Sequence, residues 1–105
     1  MTIRHDRMQQ ALQEAAAQFL ANEAGPQSLI TVTGTDLSDD GRRGVVFLSV
    51  YPDSAERSAI EFANRNRKAF GEFFEKRVRG MRIPRVEFVI DKGEKNRQRL
   101  DDLSG

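Results

Sequence analysis

Leu29-Ile30-Thr31-Val32-Thr33-Gly34-Thr35, Ser38-Asp39-Asp40-Gly41 and Val45-Val46-Phe47-Leu48-Ser49-Val50-Tyr51 follow one another in the chain, and together they decide its fold. The first run is rich in β-branched residues and reads as a strand whose faces separate into Ile30, Val32 and Gly34 against a Thr-bearing, half-solvated side. The middle run is turn chemistry, since Asp and Ser bond to their own backbone and Gly accepts the sharp bend. The third run alternates Val46, Leu48 and Val50 against Val45, Phe47, Ser49 and Tyr51. The two strands predict a hairpin with a loop of about six residues. A hairpin with one apolar face needs a cover, and the sequence on either side supplies helices.

Upstream, Met8, Leu12, Ala15, Ala16, Phe19 and Leu20 recur at helical spacing. Asp6 is the expected N-cap, and Gly25-Pro26 the expected stop. Downstream, Pro52 closes the hairpin and Asp53 or Ser54 is placed to cap a second helix. Its apolar positions are Ala59, Phe62, Ala63 and Phe70, resumed by Phe73, Phe74 and Val78. Gly71 falls between the two sets. A mid-helix Gly costs about 1 kcal/mol relative to Ala, so a kink is expected there, with larger residues disfavoured. The helical signal ends at Gly80. Pro84 leads into Val86-Glu87-Phe88-Val89-Ile90, a third strand, and a short helix or tail with Leu100 and Leu103 as apolar anchors is expected over residues 93–105. The order α-β-β-α-kink-α-β predicts one α+β domain spanning residues 1–105, with a core over about residues 4–92 and a three-stranded sheet covered by helices on one face. Ile30, Val32, Val46, Leu48, Val50, Phe88 and Ile90 should supply the sheet side of the core. Phe19, Phe62, Phe70, Phe74 and Val78 should supply the helix side.

Composition narrows the chemistry. Of 105 residues, 38% are hydrophobic and 31% charged, enough for one thin core in a soluble globular chain. There is no Cys and one His, which removes disulfides, thiolate metal sites and cysteine nucleophiles. Asp36 to Gly41 resembles the start of an EF-hand loop, but its twelfth position would be Phe47 where a bidentate Glu is needed. Gly41-Arg42-Arg43-Gly44 spells a GxxG tetrapeptide inside a hairpin, not between helices, and reads as a turn carrying two exposed Arg. His5-Asp6 and the carboxylate pairs Asp39/Asp40 and Asp101/Asp102 assemble no active site. No apolar run exceeds the four residues Val45 to Leu48, and the first residues lack the apolar core of a secretory signal. A cytoplasmic, non-enzymatic protein without cofactor or metal is expected.

Charge is unevenly placed. Residues 1–52 carry four basic and six acidic side chains, residues 53–105 thirteen and ten. Between residues 65 and 85 eight Lys or Arg face only Glu72 and Glu75, and six of the eight are Arg, suited to bidentate phosphate contact. On one helix at about 100° per residue, Arg65, Lys68, Lys76 and Arg79 share an arc of about 80° opposite the Phe70/Phe74 stripe. Arg82 and Arg85 extend that surface toward the third strand. These six are the candidate RNA-binding residues. Arg42 and Arg43 are expected to lie outside the surface.

Several stretches resemble the ribosome-binding factor A family. They are Leu29 to Asp40, Val45 to Tyr51, Pro84 to Asp91, and Ala69-Phe70-Gly71, which matches the Ala-x-Gly carried by the family at its helix–helix kink. The likeness covers about residues 4–103 and implies a type II KH-like fold, αββα-kink-αβ. It further implies a protein without cofactor that docks on the precursor 30S subunit, contacts 16S rRNA and assists late maturation, with release linked to a ribosome-associated GTPase; a monomer is expected from the single domain. The other reading is a KH-like module that binds single-stranded RNA outside the ribosome. The stretch from Gly71 to Pro84 is about one helical turn shorter than in better-known members.

Overall fold

A computed structural model describes residues 3–23 and 28–92. The alternation of Val46, Leu48 and Val50 lies in β2 (Arg43–Tyr51), the central strand of a three-stranded sheet. β1 (Leu29–Leu37) pairs with it antiparallel, and β3 (Arg85–Ile90) parallel, from Arg43↔Arg85 to Leu48↔Ile90. A parallel neighbour requires a long crossover, and two helices supply it: α2 (Glu56–Arg65) and α3 (Arg67–Arg77). α1 (Ile3–Glu23) packs chiefly against β1 and α3. The architecture is α+β, in the αββααβ order of a type II KH-like fold.

Burial follows the two periodicities. Leu12, Ala15, Ala16, Phe19 and Leu20 of α1 meet Phe70 and Phe74 of α3 and Val46, Leu48, Val86 and Phe88 of the sheet in one cluster. Phe70 sits at its centre, with ring centroids 5.5 Å from Phe19 and 5.6 Å from Phe88. Aromatic pairs at such distances and tilts each add about 0.5–1.5 kcal/mol beyond area burial. Val50 is buried, while Ile30, Val32, Phe62 and Val78 pack half-buried at the margin and Ile90 is half-exposed. Phe47, on the face away from the helices, is also buried.

Several local expectations are corrected. β1 pairing slips between Val32 and Gly34, a bulge at Thr33 that reverses the alternation. Thr35 and Leu37, not Gly34, therefore face the helices. There the Thr35 hydroxyl donates to the Gln9 carbonyl (3.1 Å) and Gln9 Nε2 donates to the Thr35 carbonyl (2.7 Å), which ties α1 to β1. The hairpin loop is the five residues Ser38 to Arg42. α1 already runs from Ile3, so Asp6 lies in its first turn, where a carboxylate complements the helix dipole, rather than at the cap. Neither Asp53 nor Ser54 caps α2 with a side-chain bond, because a 3₁₀ turn, Asp53–Ala55, carries the chain into it. Gly25-Pro26 and residues 93–105 lie outside the described residues.

The kink is not at Gly71. The helices part at Asn66, whose φ of −102° and ψ of 20° leave the helical well. Its side-chain Nδ2 donates to the Phe62 carbonyl at 2.8 Å, and its carbonyl starts α3 by accepting from Phe70 N–H at 2.9 Å. An Asn side chain that competes for the helix's own carbonyls breaks it where apolar periodicity runs on unbroken. Ala69, Phe70 and Gly71 all lie within α3.

Candidate nucleic-acid interface

The break at Asn66 redistributes the cations. Arg65 ends α2, Lys68 and Lys76 lie on α3 about 80° apart around its axis, and Arg79 lies in the turn beyond it. The single arc required one continuous helix, so Arg65 and Arg79 do not belong to it. Arg77 instead reaches over the Phe73 ring, its guanidinium carbon 5.9 Å from the centroid.

What the fold does bring together is a groove between α3 and the start of β3. It is a cavity of about 430 Å³ lined by three cations, Arg67, Lys68 and Arg85, by two carboxylates, Glu72 and Glu75, and by Gly71, Ile83, Pro84 and Val86. A Cβ on Gly71 would meet only Ile83 Cδ1, at 3.9 Å. Gly71 therefore keeps the groove open. Arg67 is steadied by donating from Nε to the Asn64 carbonyl at 3.1 Å. Of the predicted residues, Lys68 and Arg85 line this groove; Arg67, in the same basic run, joins them although its angle on a continuous helix falls off the arc of the others.

A second cleft of about 600 Å³ shares Ile83 and Pro84 with the groove and is lined besides by Arg82 and, from the hairpin, by Asp40, Gly41 and Arg42. The hairpin arginines are thus not remote from the basic surface. Arg85 N–H donates to the Arg42 carbonyl at 2.8 Å, and Arg43 is the register partner of Arg85. The loop itself is tightly bonded. Ser38 Oγ donates to Asp40 Oδ1 (2.6 Å), Arg42 N–H donates to the same oxygen (3.0 Å), and Arg43 N–H donates to Ser38 Oγ (3.1 Å). The Ser38 hydroxyl, then the Arg42 N–H, hold the Asp40 carboxyl below the ordinary carboxylate range.

β3 is an edge strand, and in parallel register its Phe88 main-chain groups point outward. Asn64 of α2 meets both, with Nδ2 donating to the Phe88 carbonyl (3.0 Å) and Phe88 N–H donating to Oδ1 (3.1 Å). The sequence offered only a faint signal for this, a polar amide inside a helix otherwise patterned for a core. Among the described residues no three His, Cys, Asp or Glu gather as metal ligands, and no helix is long and apolar enough to cross a membrane.

The profile of the family described as ribosome-binding factor A matches residues 4–104. The chain belongs to the ribosome-binding factor A family. A ribosome-binding factor A of Thermodesulfovibrio yellowstonii is 30% identical over 102 residues, covering 95% of this chain and 86% of the relative. The crystal structure of ribosome-binding factor A from Thermus thermophilus superposes with a TM-score of 0.71 at 27% identity, over 81% of this chain and 92% of that one. Coordinates of the Thermus thermophilus factor fitted into a cryo-EM map of its complex with the 30S subunit superpose with a TM-score of 0.64 at 27% identity, over 86% and 93%. Against this family background, the Ala69-Phe70-Gly71 motif of ribosome-binding factor A has separable parts here: Ala69 is exposed, Phe70 fully buried, and Gly71 lines the groove.

Proposed function

We propose that this chain is a non-enzymatic assembly factor of the cytoplasm, acting as a monomer, that binds the precursor 30S subunit and contacts 16S rRNA during late maturation. The observation that carries this is a groove walled by Arg67, Lys68 and Arg85 in a member of a family with a relative fitted on the 30S subunit. Guanidinium and ammonium groups lining an open groove suit phosphates of a folded RNA. Such a factor biases rRNA folding only by binding one arrangement more tightly than another, and its release by a ribosome-associated GTPase belongs to the same reading.

The alternative, reading of single-stranded bases outside the ribosome, is disfavoured by Asn64. At Phe88 the outward main-chain donor and acceptor of edge strand β3 are both taken by Asn64 and so are closed to a base laid against it. Sucrose-gradient fractionation of cells carrying a tagged copy separates the readings. Co-migration with free 30S subunits is expected, and a copy found only in soluble fractions would contradict it.

A further inference from the structure

We propose a second RNA phosphate-binding site, at the end of the sheet where β2 and β3 begin, formed by Arg42 and Arg82 with Arg43 and Arg85 beside them. It rests on the reading that this chain binds rRNA, and adds the hairpin arginines, which the helix periodicity left out, to Arg82 and Arg85. Three observations place it.

Arg42 and Arg82 are far apart in sequence yet line one cleft, joined to the α3 groove through Ile83 and Pro84. The two clefts therefore lie on either side of Ile83 and Pro84, near enough for one folded RNA to meet both. Arg42 and Arg82 are both exposed.

The site is also built in advance. Ser38 N–H donates to the Arg43 carbonyl and Gly41 N–H to the Ser38 carbonyl, both at 2.9 Å, besides the three bonds to Asp40 and Ser38 side chains. Gly41 takes a φ of +71°, which lets the loop turn without strain. Little ordering of the loop remains for a ligand to impose. Asp40 also lines the cleft; its Oδ1 accepts from the Ser38 hydroxyl and Arg42 N–H, and its charge acts on Arg42 and Arg43, so Arg82 is the cation it leaves most open to a phosphate. Planar guanidiniums on a fixed loop favour bidentate contact with phosphate oxygens.

The test compares Arg42→Gln/Arg82→Gln with the groove pair Arg67→Gln/Lys68→Gln, each binding purified 30S subunits and protein-free 16S rRNA over a salt series. Each phosphate contact removed should lower the slope of log K against log salt by about 0.7–0.9, so the cleft variant should lose about 1.4–1.8 on both ligands. Its melting temperature should match the wild type. Unchanged affinity and slope in the cleft variant, with loss in the groove variant, overturns the second site and leaves the proposed function standing. Loss on intact subunits with wild-type binding to protein-free rRNA means the cleft faces a ribosomal protein, and also overturns it. Failure of the wild type to bind either ligand removes both proposals.

Discussion

The side-chain amide of Asn64 closes on the main chain of Phe88 with two hydrogen bonds, 3.0 and 3.1 Å, as another strand's peptide would. It bonds α2 directly to the edge of the sheet and blunts that edge against strand addition. Asn64→Ala removes both bonds and is expected to cost about 1–2 kcal/mol. A urea melt measures the loss, and hydrogen exchange at the Phe88 amide should accelerate with it. An unchanged midpoint and exchange rate would show that the bonds contribute nothing.

Gly71 lies inside α3 with room for a methyl group, so Gly71→Ala should stabilise the domain by about 1 kcal/mol through helix propensity. Gly71→Leu fills the groove beside Ile83 and should weaken rRNA binding while the fold survives. Thermal melts and a binding titration on the two variants separate propensity from groove access.

Phe70 is wholly buried and touches the rings of Phe19, Phe74 and Phe88. Phe70→Ala is expected to cost about 3–5 kcal/mol, a large share of a small domain's stability. Loss of a cooperative urea transition, or a midpoint shifted by that amount, checks it. Phe73, half-exposed under Arg77, should cost less.

The hairpin should loosen in acid. The folded pKa of Asp40 lies below its model-compound value of 3.8, so its contribution is fully present above that value and fades as pH falls through the folded one. Asp40→Asn should flatten the pH dependence of stability in that acid window and leave the dependence between pH about 6 and 8 unchanged. An NMR titration of the Asp40 carboxyl gives the folded value directly.

Period-two and helical spacing carried the core, because burial of Val46, Leu48, Phe19 and Phe70 depends on which face a residue occupies, and spacing states that. Elements whose cause is tertiary were not legible. The bulge at Thr33 adds one residue to a strand and shows nothing in the alternation until pairing is known. Gly71 drew the kink because it is the weak helix former, yet the break belongs to Asn66, whose side chain finds the Phe62 carbonyl. Lys68 is legible from a projection along one helix and Arg85 from its place just before the third strand, but that the two line one groove is a tertiary fact. Arg42 was set aside because only the parallel pairing of β2 with β3 carries the hairpin to Arg82 and Arg85. Asn64 and Phe88, twenty-four residues apart, are joined only by that same packing.

The central claim is that Arg67, Lys68 and Arg85 hold rRNA on the small subunit. Equilibrium binding of the wild type and of Arg67→Gln/Lys68→Gln/Arg85→Gln to purified precursor 30S subunits, across a salt series, tests it most directly. Wild-type binding should fall linearly with log salt, and a triple variant of equal melting temperature should bind more weakly with a slope smaller by about 2.1–2.7. A triple variant that binds with wild-type affinity and slope would contradict the claim.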